Sequence, residues 1–271
     1  MMPHHVMPQA DGSNDPPALM TTQWTTLFVP LQARTAEAGR ALEELCRIYR
    51  PVVLDYVQTL VGDRHAAEDY TQMFFADLLG KERAGHSCVF TSADRTRGRF
   101  RAYLRTCVRR FAANQLRRQN GAANGPNRST VSVSEEEYRL GGEPPDAQFD
   151  RQWVQVTLAQ ALQVLRAEWV AGGQARLFDA LEPFLWEKKE SSADTSRRAS
   201  LAEEHGMTMN ALNLRLYRMR ERLNSLVRGI IARTLADPRE TDDEMRALKA
   251  AASRMPGVYE LHPDRVHGEE S

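Results

Sequence analysis

Cysteine is scarce in this chain, and the three present, Cys46, Cys88 and Cys107, lie far apart with no CxxC pairing. An odd, dispersed set argues against a disulfide framework or a zinc site and fits a reducing, cytoplasmic compartment. Long apolar runs are missing as well. No stretch approaches the roughly 18 residues that a membrane span needs, and the opening MMPHHVMPQADGSNDPPALMTT lacks a basic start followed by an apolar core. Neither membrane insertion nor export through a signal peptide is expected; residues 1–21, rich in proline and containing His4 and His5, read as a disordered tail rather than a metal site. Alternating Val/Ile runs are absent, which argues against a sheet, and no 20–50-residue repeat suggests a solenoid. Signatures of catalysis are missing too: no Walker-type glycine loop, no HExxH, no GxSxG and no metal-spaced Asp/Glu/His set. Glu68 and Asp69 are adjacent on a helix and diverge, so they do not converge on one substrate atom. No enzyme, cofactor or metal is expected.

What is present is helical periodicity. Glu37–Leu60 carries apolar residues at Leu42, Leu45, Ile48, Tyr49, Val52 and Val53, with Pro51 interrupting, which predicts a helix pair or a kinked helix. Gly62 then breaks the chain and Asp63 is placed as N-cap for a helix with Ala67, Tyr70, Met73, Phe74 and Leu78 on its inner face. Arg83–Gly98 is polar and aperiodic, a loop before a third helix from about Arg99. Periodicity stops over 121–149, where Gly, Asn, Ser, Pro and acidic residues dominate, and this is the expected linker between two helical domains, 22–120 and 150–236. Helical patterning returns at Phe149–Val170, Ala175–Trp186, Thr195–His205 and Thr208–Leu235. The extension 237–271 is expected to form one short helix before Pro256. The fold class is therefore all-α, two small helical domains joined by a flexible linker.

Net charge is zero, 36 Lys+Arg against 36 Asp+Glu, yet Arg95–Arg118 (RTRGRFRAYLRTCVRRFAANQLRR) holds nine arginines and no carboxylate. At helical spacing Phe100, Leu104, Cys107, Val108 and Phe111 face inward, leaving Tyr103, Arg110, Asn114 and Arg117 as an outer row. Guanidiniums neutralise phosphates and aromatics stack on unpaired bases, so this row suits DNA that is being opened; the alternative is a solvated basic surface. In Ser200–Leu223 (SLAEEHGMTMNALNLRLYRMRERL), Leu201 and Ala202 point inward, Gly206 suits a tight turn, and Thr208 caps a second helix with Leu212, Leu216, Met219 and Leu223 inside. This is the layout of a helix-turn-helix, with Asn210, Asn213, Arg215 and Arg218 able to meet a major groove; the alternative is an ordinary helical hairpin.

The order RPVVLDYVQTLVGDRHAAEDYTQMFFADLL, then RGRFRAYLRTCVRRFAANQLRR, then a linker, then LAEEHGMTMNALNLRLYRMRERL resembles bacterial RNA polymerase sigma factors of the extracytoplasmic-function type, over about residues 22–235. The resemblance implies a role in transcription initiation. The helix matching 63–79 would dock on the coiled coil of the polymerase's largest subunit through Glu68, Asp69, Gln72 and Phe75. The basic helix would recognise and open the minus-ten element through Arg99, Arg101, Tyr103, Arg105, Arg110, Asn114, Arg117 and Arg118. The helix-turn-helix would read the minus-thirty-five element through Thr208, Asn210, Asn213, Arg215 and Arg218, near the polymerase flap, with the linker threading toward the RNA exit path. An anti-sigma protein is a further partner that the resemblance allows. The family commonly has Trp, Asn and an acid where Tyr103, Arg110 and Asn114 stand, and an apolar residue where His205 stands. A helix-turn-helix regulator that binds duplex DNA without polymerase remains the rival reading. The acidic run SEEEYRLGGEPPD, ending at Asp146, has the charge to mask the basic helix in the free protein.

Overall fold

A computed structural model describes residues 36–83, 99–124, 145–186 and 192–253. Among them the chain is all-α: α1 (Ala36–Val61), α2 (Arg64–Arg83), α3 (Phe100–Asn124), α4 (Pro145–Ala171), α5 (Ala175–Leu181), α6 (Ser192–Glu204), α7 (Met209–Arg233) and α8 (Thr241–Ala252). Short 3-10 turns, Glu182–Trp186 and Pro238–Glu240, follow α5 and precede α8. The expected tail 1–21, most of the loop before α3 and most of the expected linker fall outside the described residues.

Local chemistry sets the boundaries. Pro51 is accommodated inside α1, which runs as one helix rather than a pair. Gly62 adopts φ 76°, a conformation a side chain disfavours, and Asp63 then caps α2 by accepting from the Ala66 amide at 2.7 Å. Helix α6 ends in a Schellman motif: the Gly206 amide donates to Glu203 O at 3.0 Å and the Met207 amide to Ala202 O at 2.8 Å, with Gly206 at φ 61°. Thr208 caps α7 by accepting from the Ala211 amide at 3.2 Å. Helices α6 and α7 are thus joined by four residues, 205–208, as the glycine-centred pattern predicts.

The inner faces agree with the periodicity, with one exception. Leu42, Leu45, Tyr49, Val52 and Val53 on α1, Phe100, Leu104 and Val108 on α3, and Leu212, Leu216, Met219 and Leu223 on α7 are all buried. Met73, expected inside, is 45% exposed. It lies on the same side of α2 as Asp69, a side that stays open among the described residues.

The expected separation into two domains is not seen in the packing. Helix α4, from the second half, lies against α1 and α3 of the first and against α5, α7 and α8. Trp153 on α4 stacks on Tyr49 of α1 at 4.5 Å between centroids and meets Phe100 of α3 edge-on at 5.7 Å; Phe149 meets Tyr56 edge-on at 5.0 Å. One apolar cluster runs through both halves. The physical reason is that α4 is apolar on more than one face, so Phe149 and Trp153 turn toward the first half while Leu165 and Val164 lie buried further along. Helix α4 also begins within the expected linker, at Pro145, and α3 extends into it as far as Asn124.

Candidate nucleic-acid interface

Helix α3 has two polar flanks beside its apolar stripe of Phe100, Leu104 and Val108. On one flank lie Arg110, Asn114 and Arg117, all exposed, with Tyr103 half-buried beside them. The Arg117 guanidinium donates to the Asn114 side-chain oxygen three residues away, which orients both groups outward together. Arg118, near the end of the described side chains, is exposed too.

The other flank is occupied. Arg101, Arg105 and Arg109 recur every four residues, so they form one row, and Asp146 and Asp150 on α4 recur at the same interval opposite them. Arg109 donates to both Asp146 carboxylate oxygens at 2.8 and 2.9 Å, Arg105 lies 3.5 Å from Asp146 and 3.6 Å from Asp150, and Arg101 pairs with Asp150. Rising numbers on α3 meet falling numbers on α4, so the two helices run antiparallel here. Helix α8 adds Glu244, whose carboxylate accepts from Arg101 Nε at 2.7 Å and Nη2 at 3.2 Å and from Arg99 Nη1 at 2.8 Å. Its side chain is 1% exposed and that of Arg101 9%. Arg99 also reaches Glu240 at 3.7 Å, and its own segment is tied to the end of α7 by the Phe100 amide, which donates to Thr234 O at 2.9 Å. Behind this network the Tyr56 hydroxyl donates to Asp146 at 3.0 Å and accepts from Arg109 Nε at 3.2 Å. Burial, aided by the Asp146 charge, pushes that hydroxyl up to about 12.

Among the expected DNA contacts on α3, Arg101 therefore needs correction. It is not on the outer surface, because its flank of the helix is covered by α4 and α8. Arg99 and Arg105 are partly exposed and ion-paired; Arg110, Asn114 and Arg117 stand where the periodicity put them, Tyr103 of the same expected row is half-buried against the core, and Arg118, implied by the resemblance, is exposed. Arg109, Asp150 and Glu244 were not singled out from the sequence, and Asp146 was named only as the end of the acidic run, the rest of which lies outside the described residues apart from Pro145. The four-residue spacings of the arginines and aspartates were legible, but nothing in the sequence paired Glu244 with a helix some 140 residues earlier.

On α7, Asn210, Asn213 and Arg218 are exposed, while Arg215 is half-buried and donates to Gln174 Oε1 at 3.1 Å. Asn213 accepts from Arg198 Nη1 at 3.3 Å, and the Thr208 hydroxyl is engaged as the cap. Two further residues share this outer face: Leu214 is 49% exposed and Tyr217 50%. His205, where the resembled family commonly has an apolar residue, is half-buried. On α2, Asp69 and Gln72 are exposed and Glu68, beside them, receives Arg64 Nε at 2.8 Å, a contact that holds its carboxyl below the ordinary value. Phe75 is not available to a partner: it is buried edge-on against Phe74 at 5.3 Å. No helix among the described residues is long and apolar enough to cross a membrane.

Comparison of the chain with protein families, with curated proteins and with solved structures finds no match in any of the three.

Proposed function

We propose that this protein is a transcription initiation factor of the sigma type, which binds core RNA polymerase, directs it to promoters and helps open the DNA. The observation that carries the reading is a set of three outward faces, in chain order, on helices α2, α3 and α7. The first is acidic and amide-bearing, Glu68, Asp69 and Gln72 on α2. The second is basic, Arg110, Asn114, Arg117 and Arg118 on α3. The third follows a four-residue turn and lies on the Thr208-capped α7, with Asn210, Asn213, Leu214, Tyr217 and Arg218.

Each face has chemistry suited to its share of the task. Guanidiniums on α3 neutralise phosphates, and Tyr103 beside them offers an aromatic edge to an unstacked base. On α7 the amides of Asn210 and Asn213 and the guanidinium of Arg218 match base edges, while Leu214 and Tyr217 supply apolar contact of the kind a thymine methyl takes. The exposed side of α2, with Met73 beside its acidic groups, suits a protein partner with basic groups around an apolar spot. We place that partner on the polymerase.

The test mixes the purified chain with bacterial core polymerase and a promoter library and measures run-off transcripts. Transcripts that depend on the chain, and weak unaided binding to promoter DNA, are the expected result. No dependent transcript, together with a nanomolar shift of duplex DNA by the chain alone, would reject the reading in favour of a helix-turn-helix regulator. A finer arm replaces Arg110, Arg117 and Arg118 with Gln. Open-complex formation should then weaken and its log–log salt slope flatten by about 0.7–0.9 per lost phosphate contact.

A further inference from the structure

We infer that the C-terminal helix α8, together with the first turns of α4, is an intramolecular clamp that withholds one row of arginines from nucleic acid in the free protein. The inference rests on the reading of α3 as a nucleic-acid-binding helix. Its observation is the network of Arg99, Arg101, Arg105 and Arg109 with Asp146, Asp150, Glu240 and Glu244, four guanidiniums facing four carboxylates.

Three features distinguish this arrangement from ordinary packing. First, it consists of the groups a phosphate would replace. Carboxylates and phosphates satisfy a guanidinium fork in the same planar, two-point geometry, so Glu244, which accepts from Arg101 Nε and Nη2, stands where a backbone phosphate would stand. Second, its innermost pair, Arg101 with Glu244, is costly as glue. A buried ion pair contributes little compared with apolar side chains of the same volume, so its retention between three helices calls for another role. Third, the outermost element of the clamp is a short helix of 12 residues whose seat is Met245, Leu248 and Ala252, small enough to leave as a unit while α4 stays in the core. With α8 in place Arg101 is buried and Arg99 and Arg105 are only partly exposed, while Arg109 and the flank of Arg110, Asn114 and Arg117 meet solvent. With α8 displaced Arg99 and Arg101 join it, and α3 gains guanidiniums for a second strand or a longer path of backbone.

The affinity of a protein whose competent state is partly populated falls in proportion to that population, so loosening the clamp should tighten binding. The experiment needs no polymerase. Full-length wild-type chain, Glu244→Gln and the control Asp243→Asn, which removes one charge from the exposed side of α8, are titrated with a labelled 30-nucleotide single strand and a 30-base-pair duplex across a salt series. Glu244→Gln should bind about tenfold more tightly than wild type, with a salt slope steeper by about one to two units, while the control changes affinity less than twofold. A folded Glu244→Gln chain with wild-type affinity and slope overturns the clamp, as does an equal gain in the control. Wild-type run-off activity in the same preparation then tells which has failed: with transcripts the clamp alone falls, without them the sigma reading falls as well. Should Glu244→Gln not fold, hydrogen exchange on the wild-type chain decides. Protection of the α8 amides should drop on saturation with the oligonucleotide at low salt, and protection that stays unchanged in the complex overturns the clamp.

Discussion

Removing the carboxylate of Glu244 should destabilise the protein far more than its surface-like residue type suggests. The side chain is 1% exposed and serves two guanidiniums, and Arg101, at 9%, cannot turn to water when its partner goes. Breaking one side of a buried pair typically costs about 3–5 kcal/mol, since the remaining charge is left uncompensated. Arg101 keeps Asp150, and Arg99 is partly solvated, which places Glu244→Ala near the lower end, about 3 kcal/mol. Against a whole-domain stability of about 5–15 kcal/mol that is a large fraction. Glu244→Leu combined with Arg101→Met removes both buried charges and fills the volume with apolar atoms. This double variant should recover most of the loss, giving a coupling of about 2 kcal/mol or more in the cycle. Urea unfolding followed by far-ultraviolet circular dichroism at neutral pH measures each variant, and the loss should persist in about 0.5 M salt because buried pairs are weakly screened. A cost below about 1 kcal/mol for Glu244→Ala, or a double variant as unstable as the sum of the singles, would refute the reasoning.

The turn between α6 and α7 should be sensitive at both of its fixed points. Thr208→Ala removes the cap on the Ala211 amide and should cost about 1 kcal/mol in the same unfolding assay, and Gly206→Ala, at φ 61°, about 1–2 kcal/mol. Trp153→Ala empties the contact of α4 with Tyr49 and Phe100 and should cost about 3–5 kcal/mol, in a single transition that both halves share. At high pH the Tyr56 hydroxyl has a folded value of about 12 against an ordinary 10. Its contribution is therefore complete below about pH 10 and is lost as pH rises through 12. Ultraviolet titration at the tyrosinate band should show a late-ionising component that Tyr56→Phe removes, and an unchanged titration would contradict the burial.

Much of the architecture was legible because helices advertise themselves locally. A period of 3.6, a capping Asp63 or Thr208 and a breaking Gly62 or Gly206 need no knowledge of distant residues, and those elements lie where the pattern put them. What the pattern could not give is which helix covers which flank. Arg101 and Arg110 are both arginines on the margin of one apolar stripe; only the arrival of α4 and α8 buries the first and leaves the second in water. Phe75 was a partner-contact candidate through the resemblance alone, and its neighbour Phe74 and the rest of the core fix its burial. The composition shift over 121–149 was read as a division between bodies. The aromatic residues that join the halves sit at its far edge, at Phe149 and just beyond it at Trp153, where a shift in composition gives no sign of them.

Because α4 packs on both halves, a cut between the described halves is not clean. A fragment ending in the region 125–144 would lack the ring that stacks on Tyr49, and one beginning after Trp153 would lack part of its own central helix. Exchange of either half for a homologous piece is therefore workable only if α4 and the residues it touches on α1 travel together. For protein engineering and for inheritance alike, the unit that can be moved is the whole bundle.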